Sequence, residues 1–231
     1  MGKGAPLRWI ENQILRQYFR GRGVEIGALW KRFPLPTAAS PWYLDRLDPD
    51  QLGRHYVELK GAVVKPDIIA DAAQLPFRDA SLNFIIASHV LEHLHFPLSA
   101  LRRWHDALAP GGVLLLCVPD KRHTFDRHRA RTPITHLLDE EKHPEKFDRR
   151  AHFADWVQNV SGRSPASAEF VSELNHLMEI DYSIHYHVWT DADIKELIEY
   201  TRLSGGLGWK VAIFWKTHFY RKETVALLVR G

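Results

Sequence analysis

The sequence predicts an α/β fold: a mostly parallel open sheet with helices on both faces, closed by an antiparallel hairpin. Three observations predict it. Short apolar runs recur as GVEIG (23–27), PWYLDRL (41–47), DIIAD (67–71), FIIASHV (84–90) and VLLLCVP (113–119), and helical or capped stretches lie between several of them. Such alternation implies βαβ units with right-handed crossovers. The last two runs, KVAIFWKTHF (210–219) and ETVALLVR (223–230), stand only a few residues apart. That gap is too short for a parallel crossover, so the pair must run antiparallel.

Each element has its own local reason. LRWIENQILRQYFR (7–20) places Leu7, Ile10, Ile14 and Tyr18 near helical spacing. Asp48 followed by Pro49 opens a predicted helix over 48–60, as an N-cap with proline at the first position. Residues 96–112 put Leu98, Leu101, Trp104 and Leu108 on one helical face, with Pro110-Gly111-Gly112 as the expected stop. VLLLCVP is apolar throughout, as a central parallel strand buried on both faces should be. DADIKELIEYTRL (191–203) reads as the last helix.

Residues 120–190 break the alternation. They hold eight of the 14 histidines, ten Lys/Arg and twelve Asp/Glu. The stretch is too long for a plain loop. It is expected to be mostly helical and to act as a substrate-covering insertion within one domain spanning 1–231.

Composition narrows the function classes. With 45% apolar and 26% charged residues, the 231-residue chain can bury an ordinary core. No apolar run reaches the roughly 18–20 residues of a membrane span, and the N-terminus lacks a signal-peptide core, so the expected location is cytoplasmic. The formal charge of +3 is uneven: residues 1–32 carry seven Lys/Arg against two Asp/Glu, leaving 24 against 26 elsewhere. A nearly neutral body argues against a nucleic-acid partner. The single cysteine, Cys117, excludes an internal disulfide and reads as a buried small hydrophobe.

The candidate site comes from the strand ends, where open α/β sheets bind their ligands. The first strand supplies Glu25 and Gly27, followed by Ala28. The second supplies Asp45 and Arg46, the third Asp71 with Ala72 and Ala73, and the fourth Ser88 and His89, with Glu92 and His93 just beyond. The order of these fragments, the VLEHL segment (90–94) and the L-x-PGG turn (108–112) resembles the S-adenosylmethionine (SAM)-binding motifs of class I methyltransferases. The match covers residues 23–119, with the hairpin following by pattern. The resemblance implies a Rossmann-like methyltransferase sheet and SAM as cofactor. It departs from the family in one place: the usual E/D-x-G-x-G-x-G loop reads Glu25-Ile26-Gly27-Ala28-Leu29-Trp30 here, two glycines short.

The roles this implies agree with the chemistry of the residues. Gly27 lets backbone approach the ligand, and the SAM carboxylate is expected on the rearranged loop with help from Arg32. Asp45 has the acceptors for two ribose hydroxyls. Asp71, or the backbone at Ala72 and Ala73, can read the adenine edge, with Leu75, Phe77 and Val90 packing on its faces. His89 and His93 are the candidate bases, four residues apart and so expected on one helical face, while Glu92 is expected to face elsewhere and brace the turn. Asp120, Lys121, Phe125 and Asp126 follow the fifth strand and are expected on the substrate side. His185 and His187 alternate in an extended run and are expected to share a face of a substrate wall. No third ligand is set beside them, so no metal is expected. The resulting expectation is methyl transfer from SAM to an oxygen or nitrogen of a small molecule or glycan precursor. The alternatives are a SAM-binding module without catalysis and an enzyme acting on protein or RNA. A nicotinamide-dependent oxidoreductase is opposed by the hairpin and by the absence of G-x-G-x-x-G.

Overall fold

The structure is a computed structural model and describes residues 13–55, 63–218 and 221–231. Seven strands form one sheet: β1 (Gly21–Ile26), β2 (Ala39–Asp45), β3 (Ile68–Ile69), β4 (Leu82–Ser88), β5 (Leu108–Pro119), β6 (Lys210–Trp215) and β7 (Glu223–Val229). Their order across the sheet is β3-β2-β1-β4-β5-β7-β6. The first five are parallel, while β7 pairs antiparallel with both β5 and β6. The chain starts at the centre with β1, runs outward to β3, then returns to β4 on the other side. The switch point therefore lies between β1 and β4, where a ligand crevice opens.

Helices α1 (Pro49–His55), α2 (Pro97–Ala107) and α6 (Asp191–Leu203) accompany the sheet. The 120–190 segment contributes α3 (Ile134–Lys142), α4 (Arg149–Asn159) and α5 (Ala168–Glu179), with short 3₁₀ turns between β5 and α3. Alternation along β5 explains its unbroken apolar sequence. Leu114, Leu116 and Val118 pack with Ile85, Trp104, Leu101, Ile194 and Ile198 on one side. Val113, Leu115 and Cys117 pack with Phe19, Phe84, Ile86 and Leu227 on the other. Both faces are covered, so no polar alternation survives. Within the 120–190 segment, Phe153, Val157, Phe170, Leu174, Leu177, Ile184 and Tyr186 form a third cluster.

Several expected boundaries move. Of the helix expected over 7–20, residues 7–12 lie outside those described, as do 56–60 of the helix expected over 48–60 and Phe219 of the run at 210–219. α2 ends at Ala107, ahead of Pro110. Pairing with β4 then jumps from Leu82–Leu108 to Phe84–Val113, so residues 109–112 bulge out of the strand instead of ending a helix. Gly111 takes φ +76° in that bulge, a conformation that glycine adopts without a Cβ penalty. Residues 182–188 form no strand. The chain there is held locally instead, by the amides of Tyr186 and His187 donating to the Glu92 carbonyl and by a bridge between Asp120 and Trp189.

Candidate active site

A cavity of about 1220 Å³ lies beyond the carboxyl ends of β1, β2 and β4. It exceeds the roughly 300–1,000 Å³ of an ordinary small-molecule site, which leaves room for two ligands side by side. Because β7 is antiparallel, its first residue meets the last residues of its parallel neighbours, and Glu223 joins the wall together with Trp215 from β6. Asp181, Tyr182, Ser183, His185 and Tyr186 of the insertion form the facing wall. A smaller hollow of about 510 Å³, between α6 and β6, lies away from the strand ends.

The β1 loop forms one end of the cavity. Glu25 is 4% exposed. Its Oε1 accepts the Phe33 amide at 2.8 Å, while Oε2 has no hydrogen-bond partner among the described residues. Burial pushes this carboxyl up to about 7, against the opposing pull of the Phe33 N–H and the Arg32 charge. Gly27 takes φ +64°, and Leu29 also has positive φ at 49°. A Cβ at Gly27 would lie 3.3 Å from Val90 Cγ2, so the backbone there both turns and runs close to the cavity floor. Arg32 stacks its guanidinium 4.7 Å from the Tyr43 ring centroid.

At the β2 end, Asp45 accepts the Leu47 amide at 3.3 Å, and burial raises its carboxyl. Asp71 caps the turn Ala72–Gln74 by accepting the Ala73 amide at 2.8 Å. Beyond β4 the chain makes a sharp turn: His89 has φ +56°, and its Nε2 lies 2.7 Å from Glu223 Oε2. His93 Nδ1 lies 2.8 Å from the Ile184 carbonyl and 3.1 Å from Ser183 Oγ. Burial holds His93 down at about 3, so its ring is neutral at neutral pH.

The sequence pattern that defines a methyltransferase-domain family matches residues 20–160, more than half of the chain and all of the strand ends just described. The chain belongs to the class I SAM-dependent methyltransferases. Solved structures agree on the fold. A SAM-dependent methyltransferase from Aquifex aeolicus superposes with a TM-score of 0.50 at 9% identity, covering 100% of both chains. The CurJ carbon methyltransferase gives a TM-score of 0.50 at 15% identity, over 95% of this chain but only 54% of the other. A Rhodobacter sphaeroides chain bearing the name of Zn-dependent alcohol dehydrogenases gives 0.57 at 14% identity, covering 96% and 90%. No curated protein matches in sequence. Among the described residues, no helix is long and apolar enough to cross a membrane.

In this methyltransferase ten of the residues expected at the cofactor line the cavity: Glu25, Gly27, Ala28, Asp45, Arg46, Asp71, Ala72, Ala73, Ser88 and His89. Arg46 also reaches across the mouth to Asp181 of the insertion at 2.5 Å. Val90 lines the cavity, whereas Leu75 is buried in the core and Phe77 packs on Trp42. His93 and His185 line it as well.

Five expected substrate contacts do not line the cavity. Asp120 is buried, and its carboxylate is taken up by Arg122 and Thr217. Lys121 donates to the Arg127 carbonyl, and Phe125 packs over the far side of His185. Asp126 is buried between His185 and Arg129. His187 is fully buried beside Glu140 and His152, away from the cavity that His185 faces. Without a strand at 182–188, the two histidines lose their shared face. The turn after β4 is also not α-helical: Leu91–His93 is a 3₁₀ turn, in which residues three apart align. His89 Nδ1 consequently lies 3.6 Å from Glu92 Oε1, and His93 diverges towards Ile184.

Glu92 is the residue that sequence reasoning set aside. It is 1% exposed, and neither carboxylate oxygen has a hydrogen-bond partner among the described residues. Its signal was an acidic residue inside the apolar VLEHL run. Glu223 gave no signal, because only the sheet order brings the start of β7 to His89.

Proposed function

We propose that this methyltransferase binds SAM along the β1, β2 and β3 ends and methylates an oxygen or nitrogen of a small molecule or glycan precursor. The acceptor is held under the 120–190 insertion, which serves as a substrate cover within a single domain. The observation that carries this reading is one cavity uniting Glu25, Gly27, Asp45 and Asp71 with His89, His93 and His185. The bare, buried Oε2 of Glu25 is what a cationic ligand group would complete, and the SAM ammonium is such a group. Asp45 would accept the ribose hydroxyls, Arg32 and the loop amides the SAM carboxylate, and the turn at Asp71–Ala73 the adenine edge. SAM supplies an already activated methyl on a sulfonium.

The protein's own work is to align the acceptor and exclude water. Where the acceptor is a hydroxyl, its proton needs a base. Of the two candidate bases, His89 is favoured. Glu223 orients it through Nε2, as a carboxylate orients a catalytic imidazole. His93 is held too far down to keep a proton, and its Nδ1 is committed to Ile184. A nearly neutral body and a covered cavity favour a small acceptor over a nucleic acid.

Calorimetry with SAM tests this reading. The folded protein is expected to bind one SAM per chain. Asp45→Ala is expected to lose about 1.5–3 kcal/mol of affinity, the scale of hydrogen bonds to a charged acceptor. Unchanged affinity in a folded variant would remove Asp45 from the site.

A further inference from the structure

Glu92, His93 and His185 converge on one point at the cavity wall, and the way their hydrogen bonds are spent is unusual. One ring nitrogen of each histidine is already committed outward. The Ile184 carbonyl can only accept, so His93 Nδ1 must carry the proton there, and the lone pair of its neutral ring is left on Nε2. His185 Nδ1 lies 2.7 Å from Asp126 Oδ2, and Asp126 is itself fixed by Arg129 at 2.9 Å. The His185 proton is thereby placed on Nδ1, and Nε2 faces Glu92 Oε1 at 4.0 Å. Glu92 adds a carboxylate that is fully buried with both oxygens bare among the described residues. Two imidazole lone pairs and an anion thus face one another with no donor of their own between them. One proton added to the cluster could answer only one of these lone pairs. A cation relieves it directly.

We propose that Glu92, His93 and His185 form a site for one divalent transition ion of the zinc class, opening on the methyl-acceptor side of the cavity. One ligand atom from each of the three side chains lies within 4.8 Å of the other two. Atoms bound tetrahedrally at the usual zinc distances lie roughly 3.4 Å apart, so small rotations close the site. The outward bonds of both histidines, to a carboxylate and to a backbone carbonyl, are the partners that fix ring orientation in metal-bound histidines. Two histidines, one glutamate and an open fourth position make a catalytic type of zinc site rather than a closed structural one. The open position faces the cavity that His93 and His185 line. An acceptor hydroxyl bound there would have a lowered pKa, with His89 Nδ1, 3.6 Å from Glu92 Oε1, as the neighbour to take its proton. That last role rests on the proposed function; the metal site does not.

The test is a metal titration of the full chain after chelator dialysis. Cobalt(II) is the probe, read by its visible d–d bands, with zinc(II) as competitor. The expected result is one cobalt per chain, displaced by one zinc. Glu92→Gln and His185→Ala are expected to weaken binding by about 100-fold or more. Asp126→Asn, which removes only the outer partner, should weaken it by about 10–100-fold. Circular dichroism identifies variants that fail to fold, and the wild-type stoichiometry stands without them. His136→Ala and His152→Ala, in the separate cluster around Glu140, are expected to keep the bands. Absence of cobalt binding overturns the proposal. So do bands that survive Glu92→Gln and His185→Ala, or bands lost only in the Glu140-cluster variants. SAM calorimetry on the same wild-type sample separates the two readings. SAM binding without cobalt sinks the metal site alone, and cobalt without SAM sinks the proposed function alone.

Discussion

Two histidine–carboxylate clusters lie within the same half of this methyltransferase, and they are built in opposite ways. Around Glu140, two imidazole nitrogens are turned inward onto the carboxylate. His136 Nε2 and His152 Nε2 both reach Glu140 Oε1, at 3.0 and 2.9 Å, and His187 Nε2 stands 3.8 Å from Oε2. Burial works to raise Glu140, but the hydrogen bonds from His136 and His152 outweigh it and hold the carboxyl down at about 2. Around Glu92 the protons of His93 and His185 point outward, and burial pushes the carboxyl up. The first cluster has one carboxylate oxygen, Oε1, taken up by two imidazoles, while Oε2 has no hydrogen-bond partner among the described residues, and it ties α3 to α4 and to the chain at 182–188. In the second, neither carboxylate oxygen has a hydrogen-bond partner among the described residues. Residue type does not distinguish them; whether an imidazole nitrogen comes within hydrogen-bond distance of the carboxylate does, as at Glu140 and not at Glu92.

The sharpest way to break this comparison is to remove each carboxylate. Glu140→Ala should destabilise the folded protein by about 3 kcal/mol, the lower range for stripping one partner from a buried pair. The loss should register in amide exchange of α3 and α4. A folded-state pKa of about 2 lies below the ordinary glutamate value of 4.5, so Glu140's contribution is present above pH 4.5 and disappears as pH falls towards 2. Denaturation curves across that window should slope in the wild type and flatten in the variant. Equal stability of the two proteins at pH 7 would mean that the cluster holds nothing together. Glu92→Gln should act in the opposite direction. In the metal-free protein it replaces a buried, unpartnered carboxyl, costly to ionise there, with a neutral amide of the same shape and should raise stability by up to about 1–2 kcal/mol, as measured by urea unfolding in chelator. A loss of stability there would show that Glu92 is already partnered.

The same contrast explains how much of the molecule was legible in the sequence. The sheet was readable because a parallel strand covered on both faces is written as an apolar run, and VLLLCVP could hardly be anything else. The residues that line the cavity from the strand ends were readable because Glu25, Asp45, Asp71 and His89 each close or follow a strand, and strand ends of this sheet share one edge. The acceptor side was not readable, for two physical reasons. His187 and His185 alternate in sequence, but the chain at 182–188 follows the Glu92 carbonyl instead of a strand partner, and the alternation rule lapsed with the strand. Glu92 and Glu223 lie 131 positions apart, and only the antiparallel return of β7 brings both to His89. Local periodicity carries no information about either.

The smallest expected effect tests whether burial grades the bonds within the Glu140 cluster. His136 and His152 bond the same oxygen at nearly the same distance, yet the His136 side chain is 44% exposed and that of His152 is 12% exposed. Solvent screens an exposed pair, and one turn of helix separates His136 from Glu140, so the interaction belongs to the weak class of surface pairs. His136→Ala should therefore cost no more than about 0.5 kcal/mol, while His152→Ala should cost clearly more, because it also removes the contact with the Tyr186 carbonyl. The hydrogen bond to Glu140 raises the His136 pKa above the ordinary histidine value of 6.5. Its small contribution is therefore fully present below pH 6.5 and is lost as pH rises through the folded-state pKa. Proton NMR of the imidazole should show His136 titrating above a free histidine, and should show that elevation disappearing in Glu140→Ala. An unshifted His136 in the wild type would mean that the exposed histidine stands apart from the cluster, leaving His152 and His187 to hold Glu140 alone.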